Sequence, residues 1–481
     1  MRFMLWVSCL LTLAAYGDYA PPDWGTPPTT VTHAYDGAAT TAENGAALKT
    51  AVLALQAGQR IAIEGGTYYI GSHFGPTLNG VDGAPIVIEG AGPGEVVIET
   101  DPKHNGLDLN GAYIVLRNVS ITGASEAIRI HDCHHVLIEN CHIHDCPDGG
   151  ITTNTLDTNN IHIINNEIDH VNGEGMYLGA NYGEVIMHTS YIVGNYVHDI
   201  GAPQGDGIEL KQGSWGNLIA DNWVHDTNYP CIIAYGTADS PRNVIERNRC
   251  YRSNDNTMQV QGEALVRNNL AVSGAGSAFQ SHDHQAASTA LEVINNTFIN
   301  AGRAVNLSNW DGRAGMVFAN NACYSRDGEG LRFPAGSTGV AVAGNVVMGA
   351  VEGVAGGYSA GAGLAEDFVA VSWDASSLDA HPTATSALLD TAEASYLPEE
   401  DLSGAARTGS TAGAYERPAD PADYHDADLN QDHRIDLSEL LRLVQFLNVG
   451  GYYPCEDPDT PDGFCPGIEG DAPQLPPSSR S

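Results

Sequence analysis

A regularly spaced asparagine is the feature that most constrains how this chain can fold. Ten asparagines recur at intervals of 21 to 29 residues. Each follows a short segment rich in Ile and Val and lies close to Gly, Asp or Asn, the residues that favour turns. They are Asn118, Asn140, Asn166, Asn195, Asn222, Asn248, Asn269, Asn296, Asn321 and Asn345. A period of this length indicates a solenoid, in which each repeat stacks on the one before it.

A leucine-rich repeat is the main alternative, because it has a similar period and its own asparagine ladder. The residue types argue against it. The repeats are short Ile- and Val-rich strands, as in residues 217–225, and they lack a Leu-x-x-Leu-x-Leu pattern. We therefore predict an all-β solenoid, a right-handed parallel β-helix over residues 36–415, with the asparagines hydrogen-bonded to one another at its turns.

The N-terminus has the pattern of a signal peptide. A charged start, an apolar run and small residues that suit cleavage occupy residues 1–17, so we expect a secreted protein. No later apolar stretch is long enough to predict a membrane span. Residues 18–35 are predicted to be a linker. Residues 44–56 have helical apolar spacing, and we expect this helix to cap the first coil, which would otherwise expose a sheet edge.

Composition limits the partners. Aspartate and glutamate total 59 against 21 lysines and arginines, which gives a net charge of −38. This charge repels nucleic acid, so we exclude it as a partner, and we expect a monomer that binds a polysaccharide. An anionic polymer would be repelled as well. It would need a metal ion or well-placed basic side chains at the site to offset that repulsion.

Eight cysteines follow the signal peptide, in a protein whose predicted export would allow disulfides. Cys455 and Cys465 are the likeliest pair. The other six lie inside the repeats, where buried thiols and bridges are both open, because cysteine packs as a small hydrophobe.

The start of the solenoid resembles a known group of enzymes. Residues 60–68 follow the predicted helix, and residues 84–90 form the next similar strand. Together they resemble the start of the secreted β-helix polysaccharide lyases of the alginate lyase and chondroitinase B type, within the pectate lyase-like superfamily. The resemblance covers roughly residues 42 to 350, and it implies β-elimination on a uronic-acid polymer.

A second motif lies near the C-terminus. Residues 428–439 match a twelve-residue EF-hand loop, and apolar residues after it line one face of a helix. The predicted calcium ligands are Asp428, Asn430, Asp432, the carbonyl of Arg434, Asp436 and Glu439. The segment resembles one half of a dockerin repeat, which implies a cohesin-like or cell-surface partner. We assign residues 416–425 to a linker, 426–453 to this small α-helical module and 454–481 to a Pro-rich acidic tail.

One face of the solenoid carries polar side chains. When the coil starts are aligned, strand alternation points Ile, Met and Phe inward and sends two neighbouring columns outward. The predicted substrate-binding residues of these columns are Arg129, His131, Tyr177, Gln259, Gln261, Gln280 and His282. Aromatic and amide groups on a flat face suit the stacking and hydroxyl bonding of sugar rings.

Three carboxylates fall in one column just before these strands, at Asp148, Glu174 and Asp206. Stacked carboxylates about 5 Å apart repel one another, so they either splay into solvent or share a calcium ion. A column of His-Asp pairs, at 144–145, 198–199 and 225–226, is explained most simply as exposed turns, with a metal site as the less favoured alternative.

Lys211 is one of three lysines in the chain and lies in the middle of the polar face. It is either a surface lysine paired with Glu209 or the base of a lyase. In the family that the chain resembles, a lysine and an arginine on neighbouring coils share this work, and Tyr235 stands where that arginine would be expected. We predict that Lys211 is the base, that Tyr235 donates a proton to the leaving oxygen, and that Glu209 orients Lys211 or the sugar.

Three functions remain open from the sequence. They are a calcium-assisted uronan lyase, a glycoside hydrolase that uses Glu209 with Asp206 or another acid, and a carbohydrate-binding surface protein without catalysis. A hydrolase needs two carboxyl groups that flank the bond, whereas a lyase leaves a C4–C5 double bond that absorbs ultraviolet light.

Overall fold

The structure is a computed structural model that describes residues 19–91 and 94–417, together with the backbone of two short strands further on. The chain divides into two compact units, and the two late strands belong to the second. They pair antiparallel, with Tyr453 opposite Cys465. The predicted signal peptide, the EF-hand loop and the side chains of the Cys455 and Cys465 pair lie outside the described residues.

The first unit is built almost entirely of short strands. Up to residue 200 they are β1 (Thr29–His33), β2 (Gln59–Ile63), β3 (Gly66–Tyr69), β4 (Thr77–Asn79), β5 (Ile86–Gly90), β6 (Val96–Glu99), β7 (Leu107–Arg117), β8 (Ser120–Thr122), β9 (Ile128–Glu139), β10 (His142–His144), β11 (Ile151–Thr152), β12 (Thr158–Ile164), β13 (Glu167–Asp169), β14 (Met176–Leu178), β15 (Met187–His188), β16 (Tyr191–Val193) and β17 (Tyr196–Ile200).

The strands after residue 200 are also short, and the last two of them belong to the second unit. They are β18 (Ile208–Leu210), β19 (Leu218–Ala220), β20 (Trp223–Thr227), β21 (Ile232–Ala234), β22 (Asn243–Glu246), β23 (Arg249–Ser253), β24 (Met258–Val260), β25 (Ala264–Arg267), β26 (Leu270–Gly274), β27 (Ser277–Ser281), β28 (Leu291–Ile294), β29 (Thr297–Asn300), β30 (Arg303–Leu307), β31 (Val317–Ala319), β32 (Ala322–Arg332), β33 (Ala341–Ala343), β34 (Asn345–Glu352), β35 (Tyr358–Ala360), β36 (Phe368–Val371), β37 (Leu378–Pro382), β38 (Tyr452–Pro454) and β39 (Phe464–Pro466). Two α-helices, α1 (Thr41–Leu53) and α2 (Leu364–Asp367), and two 3-10 turns, Asn181–Gly183 and Ala394–Tyr396, complete the described elements.

Strands β1 to β35 pair in parallel with their equivalents on neighbouring coils, which confirms the predicted parallel β-helix, whereas β36–β37 and β38–β39 form separate two-stranded sheets. The coils form three ladders. Ladder A runs through β2, β5, the C-terminal parts of β7 and β9, β12, β16, β19, β22, β25 and β28. Ladder B runs through β6, β8, β10, β13, β17, β20, β23, β26 and β29. Ladder C runs through β9, β11, β14, β18, β21, β24, β27 and β30.

The core is the apolar interior that the three ladders enclose. Inward residues of successive coils stack on one another, as Ile151, Met176, Ile208 and Ile232 do, and all four are fully buried. Six cysteines of the repeats, Cys133, Cys141, Cys146, Cys231, Cys250 and Cys323, are buried free thiols. The sequence left this choice open, and the structure decides it in favour of packing.

The asparagine ladder runs unbroken from Asn166 to Asn345. At each step an asparagine side chain donates to the amide oxygen of the next, as Asn195 does to Asn222 at 2.9 Å. Two of the ten asparagines are one residue out of register. Asn118 and Asn140 occupy the positive-φ position that precedes the ladder, and Cys141 stands at the ladder position itself, where its amide bonds the Asn166 oxygen.

The N-terminal end is closed as expected, although the boundaries differ. Helix α1 begins three residues earlier than predicted because Thr40 and Glu43 form a capping box, and Leu48 and Val52 are buried in the core. Within the predicted linker 18–35, β1 pairs in parallel with β2, and Tyr19 is buried against ladder A. The solenoid therefore begins at β1, before the helix.

The coils end near residue 360, short of the predicted boundary at 415. The chain then turns back, and residues 388–416 lie along the turns of the earlier coils. Asn268 and Asn295, both at positive φ, bond the carbonyls of Glu400 and Thr411 through their side chains. No helix in the described part of the chain is long and apolar enough to cross a membrane.

Candidate functional site

Ladder C carries the predicted polar face, and its register confirms the first outward column. Thr152 pairs with Arg129 and Tyr177, Tyr177 pairs with Glu209, and the column continues through Ile233, Gln259 and Gln280. The hydrogen bonds of this ladder continue one residue past the strands. The backbone amides of Lys211, Tyr235 and Gln261 each donate to a carbonyl of the preceding coil. The second predicted column therefore also runs from coil to coil, about 4.8 Å apart.

Lys211, Glu209 and Tyr235 form one contact group on this face. Nζ of Lys211 donates a hydrogen bond to Oε1 of Glu209. The Tyr235 hydroxyl donates to the same oxygen at 3.3 Å. The Lys211 Nζ atom also lies 4.3 Å from the centre of the Tyr177 ring and 5.5 Å from that of Tyr235, distances that favour a cation–π contact. The three residues predicted to act together are thus in direct contact.

These residues are not on an open surface, which corrects the expectation of a flat exposed face. Lys211 is 5% exposed, Glu209 3% and Tyr235 4%. Two loops from coils far apart in sequence meet near this group. Gln285 accepts a hydrogen bond from the Tyr182 amide and donates to Asn181, both at 3.0 Å. These two hydrogen bonds form a bridge between residues 181–183 and the loop around residue 285.

A carboxylate cluster lies beside Lys211. One oxygen from each of Glu174, Asp206 and Glu209 lies within 4.8 Å of the others. Among the described residues, Asp148 does not join this cluster. Glu209 is its third member in place of Asp148. Asp148 instead lies near Glu126 and is hydrogen-bonded to Ser125. The predicted three-carboxylate column is therefore replaced by a tighter group that includes the partner of Lys211.

Burial sets the ionisation of this cluster. It raises the pKa of Asp206 well above its ordinary range, and the neighbouring carboxylates of Glu209 and Glu174 add to the effect. It also raises the pKa of Glu174. The Asp206 carboxylate has no hydrogen-bond partner among the described residues, although it is only 6% exposed. A buried, unpartnered carboxylate beside two others suits a hard cation with oxygen ligands.

The phenols of the site are held in the protonated form. Burial raises the pKa of Tyr177 to about 12. Burial raises the pKa of Tyr235 still further, and the carboxylates of Glu209 and Asp206 act in the same direction. Tyr235 therefore keeps its proton at neutral pH, which the predicted role requires.

The predicted sugar-binding residues lie on both sides of this group. Arg129 is bound to Glu126 at 2.5 Å, and His131 lies 3.4 Å from Asp108. Gln280 accepts a hydrogen bond from Asn306 at 2.8 Å and lies 3.2 Å from His282. These residues are on the predicted columns, but internal partners already engage their charged and amide groups.

Gln259 and Gln261 lie closer to the lysine group. Asn256 donates to the Gln259 oxygen at 3.3 Å. The Gln261 nitrogen bonds the carbonyl of Ala286, and its buried oxygen has no partner among the described residues.

Sequence reasoning missed the loop residues. The His284 ring lies 5.2 Å from the Tyr235 ring, and Asn181 and Gln285 make the bridge described above. The available signal was loop length, because residues 179–186 and 282–288 separate ladder C strands from the next ladder by more residues than most coils do. Length alone does not show that the two loops meet near Lys211.

Comparison with known proteins identifies the coil region. Residues 29–229 match the family model described as Pel9A-like, right handed beta helix region, and residues 199–323 match the model described as right handed beta helix region. Comparison with curated proteins gave no match.

Several solved structures are similar. The complex of XylC with xylose is 11% identical, with 77% of this chain and 95% of that chain covered and a TM-score of 0.58. Pectate lyase Pel9A is 18% identical, with 82% and 98% covered and a TM-score of 0.48. The alginate lyase from Paenibacillus sp. str. FPU-7 is 17% identical, with 69% and 99% covered and a TM-score of 0.42. The strand pairing and the two family models together establish residues 29–323 of this chain as a right-handed parallel β-helix.

Proposed function

We propose that this protein is a secreted polysaccharide lyase that cleaves a uronic-acid polymer by β-elimination, with calcium bound beside the catalytic lysine. The observation that carries the proposal is the contact of Lys211 with Glu209 and Tyr235 next to a cluster of buried carboxylates. The match of residues 29–229 to a Pel9A-like model supports the same class, because the protein Pel9A is a pectate lyase.

The residues supply the two proton transfers that β-elimination needs. Lys211, as the neutral amine, takes the proton from the carbon next to the uronate carboxylate. The electron pair left on that carbon forms the C4–C5 double bond and breaks the bond to the leaving glycosidic oxygen, which the Tyr235 hydroxyl protonates. Glu209 holds both groups through one oxygen, and this contact fixes their separation.

Calcium resolves the charge problem at this site. Lys211 is the one basic side chain in the group, against Glu174, Asp206 and Glu209, so an anionic sugar would be repelled. Glu174, Asp206 and Glu209 would hold the calcium ion, whose positive charge would neutralise the uronate carboxylate and make the proton beside it more acidic. The unpartnered Asp206 carboxylate is the feature that fits this ion best.

The test is a screen of the purified protein on alginate, pectate, chondroitin and neutral glycans, with calcium and with a chelator. The expected result is calcium-dependent growth of the ultraviolet absorbance of an unsaturated uronate on one anionic polymer. New reducing ends without this absorbance would show a hydrolase and overturn the proposal. Binding to a polymer without any cleavage would instead show a carbohydrate-binding protein.

Replacing Asp206 with asparagine is expected to stabilise the calcium-free protein and to weaken calcium binding about tenfold or more. Burial raises the folded pKa of Asp206, so the folded state holds this proton more tightly than the unfolded chain does. In chelator, the contribution of Asp206 to stability is therefore fully present below about pH 4, the ordinary carboxyl range, and is lost as pH rises through its folded pKa.

Melting temperatures measured from pH 4 to 8, in chelator and in calcium, check this prediction. Asp206→Asn should flatten the loss of stability in chelator, whereas the exposed Asp82→Asn should behave as wild type. Equal calcium affinity in wild type and Asp206→Asn would place the ion elsewhere.

The EF-hand loop is proposed as a second calcium site, separate from the first. Its ligands, Asp428 to Glu439, lie outside the described residues, so the proposal rests on their spacing. Isothermal titration of the full chain should show one calcium fewer in Glu439→Ala, because position 12 supplies both oxygens of its carboxylate. Glu456→Ala, an acid beyond the loop, serves as the control. An unchanged stoichiometry in Glu439→Ala would remove the site, and with it the basis for a cohesin-like or cell-surface partner.

A further inference from the structure

Ladder B carries a group of imidazoles and carboxylates that the proposed lyase does not use. His142 on β10 pairs with Glu167 on β13, and Asp169 on β13 pairs with His198 on β17. One ligand atom from each of His142, Glu167 and Asp169 lies within 4.8 Å of the others. His198 completes the group, because its Nε2 atom is 3.4 Å from Oε1 of Glu167. These four residues form what we call the imidazole–carboxylate cluster.

Two outer contacts orient the ligands of this cluster. Asp199 holds Nδ1 of His198 at 2.8 Å, which leaves Nε2 directed at Glu167. His170 holds Oδ1 of Asp169 at 2.5 Å, and the other oxygen of Asp169 lies 2.7 Å from Nε2 of His142. A carboxylate on the far nitrogen of a histidine is the usual outer contact of a metal ligand, because it fixes the ring and its tautomer.

The position of the cluster in the fold adds rigidity. Its residues come from the strands of three successive coils. Each of these strands also carries one core residue next to the ligands, namely Ile143, Ile168 or Val197, and all three are fully buried. The inward side chains fix the strands, so the outward ligands start from a fixed spacing of about 4.8 Å. Little conformational freedom remains to be lost when an ion binds.

The donor set decides which ion fits. Two imidazole nitrogens and two carboxylates suit zinc and related divalent transition metals, which accept nitrogen ligands in four-coordinate sites. Calcium takes six to eight oxygens and is a poor match. We propose that His142, Glu167, Asp169 and His198 bind one divalent transition-metal ion. The ion links strands β10, β13 and β17 of three successive coils, on a face separate from the proposed catalytic ladder.

The test uses zinc chloride on the full chain, in saturating calcium so that oxygen-only sites are filled. Titration calorimetry is expected to show one zinc ion whose affinity falls about 100-fold or more in His142→Gln and in His198→Gln. The outer variant Asp199→Asn is expected to lose about 10- to 100-fold. Zinc should raise the melting temperature of wild type and leave that of the two glutamine variants unchanged.

His104→Gln is the control, since His104 lies outside the cluster, and it should bind zinc as wild type does. Cobalt substitution gives an independent readout, because the visible absorption of a four-coordinate cobalt site should appear in wild type and disappear in His142→Gln. Two outcomes would show that these residues form only a hydrogen-bonded network. One is equal zinc affinity in wild type, His142→Gln, His198→Gln and Asp199→Asn, and the other is no zinc binding by wild type. If a glutamine variant has a lower melting temperature than wild type in chelator, Asp199→Asn tests the proposal in its place. The measurements are again its zinc affinity and the change in its melting temperature with zinc.

Discussion

Replacing Lys211 with alanine is expected to lower turnover on the cleaved uronan about 100-fold or more, because the general base is lost. The amine lies between the Tyr177 ring and the Glu209 carboxylate, within the same contact group as the Tyr235 hydroxyl. No other lysine or arginine lies in this contact group among the described residues. Initial rates of product absorbance at saturating substrate measure the loss directly.

Two further variants separate catalysis from folding. Lys211→Ala leaves the Glu209 carboxylate buried without its cation, so Lys211→Arg is needed as well, since it keeps the charge but cannot act as a base. Both should lose turnover. Lys103→Ala, at an exposed lysine, should keep it. Wild-type turnover in Lys211→Arg would show that the site needs a positive charge and that another residue takes the proton.

The second large effect is expected on stability. Asn222→Ala should lower the free energy of unfolding by about 3 kcal/mol or more. The Asn222 side chain donates to the Ile192 carbonyl at 2.8 Å and to Asn248 at 2.9 Å. It also accepts from the backbone and side chain of Asn195 at 3.0 and 2.9 Å. All of these groups are buried, so the loss of one side chain leaves several donors and acceptors unpaired.

Urea unfolding followed by circular dichroism measures this change. Asn254→Ala is the matched control, because Asn254 is exposed and its side chain has no hydrogen-bond partner among the described residues. It should shift the midpoint little. If the two variants unfold at the same urea concentration, the ladder contributes no more than a surface asparagine.

The polar face matches the sequence prediction in its outward columns but not in its acidic column. Strand alternation has a period of two, so once the inward apolar residues were aligned, the outward columns followed, and Tyr177, Glu209, Ile233 and Gln259 fell in register as predicted. The acidic column failed at Asp148. Glu174 and Asp206 share a backbone row with Gly149, whereas Asp148 lies one residue earlier and is out of register with them. Its side chain lies near Glu126 instead.

The sequence by itself determined the β-helix, the stacked asparagines and the two polar columns, because a repeated pattern of apolar residues and turns specifies local pairing from coil to coil. Only the tertiary structure decided that Lys211 is buried, that Glu209 joins Glu174 and Asp206, and that Gln285 meets Asn181. These contacts join loops of different coils, more than 100 residues apart in the case of the bridge. No local pattern encodes them, since loop conformation depends on the neighbours that each loop meets.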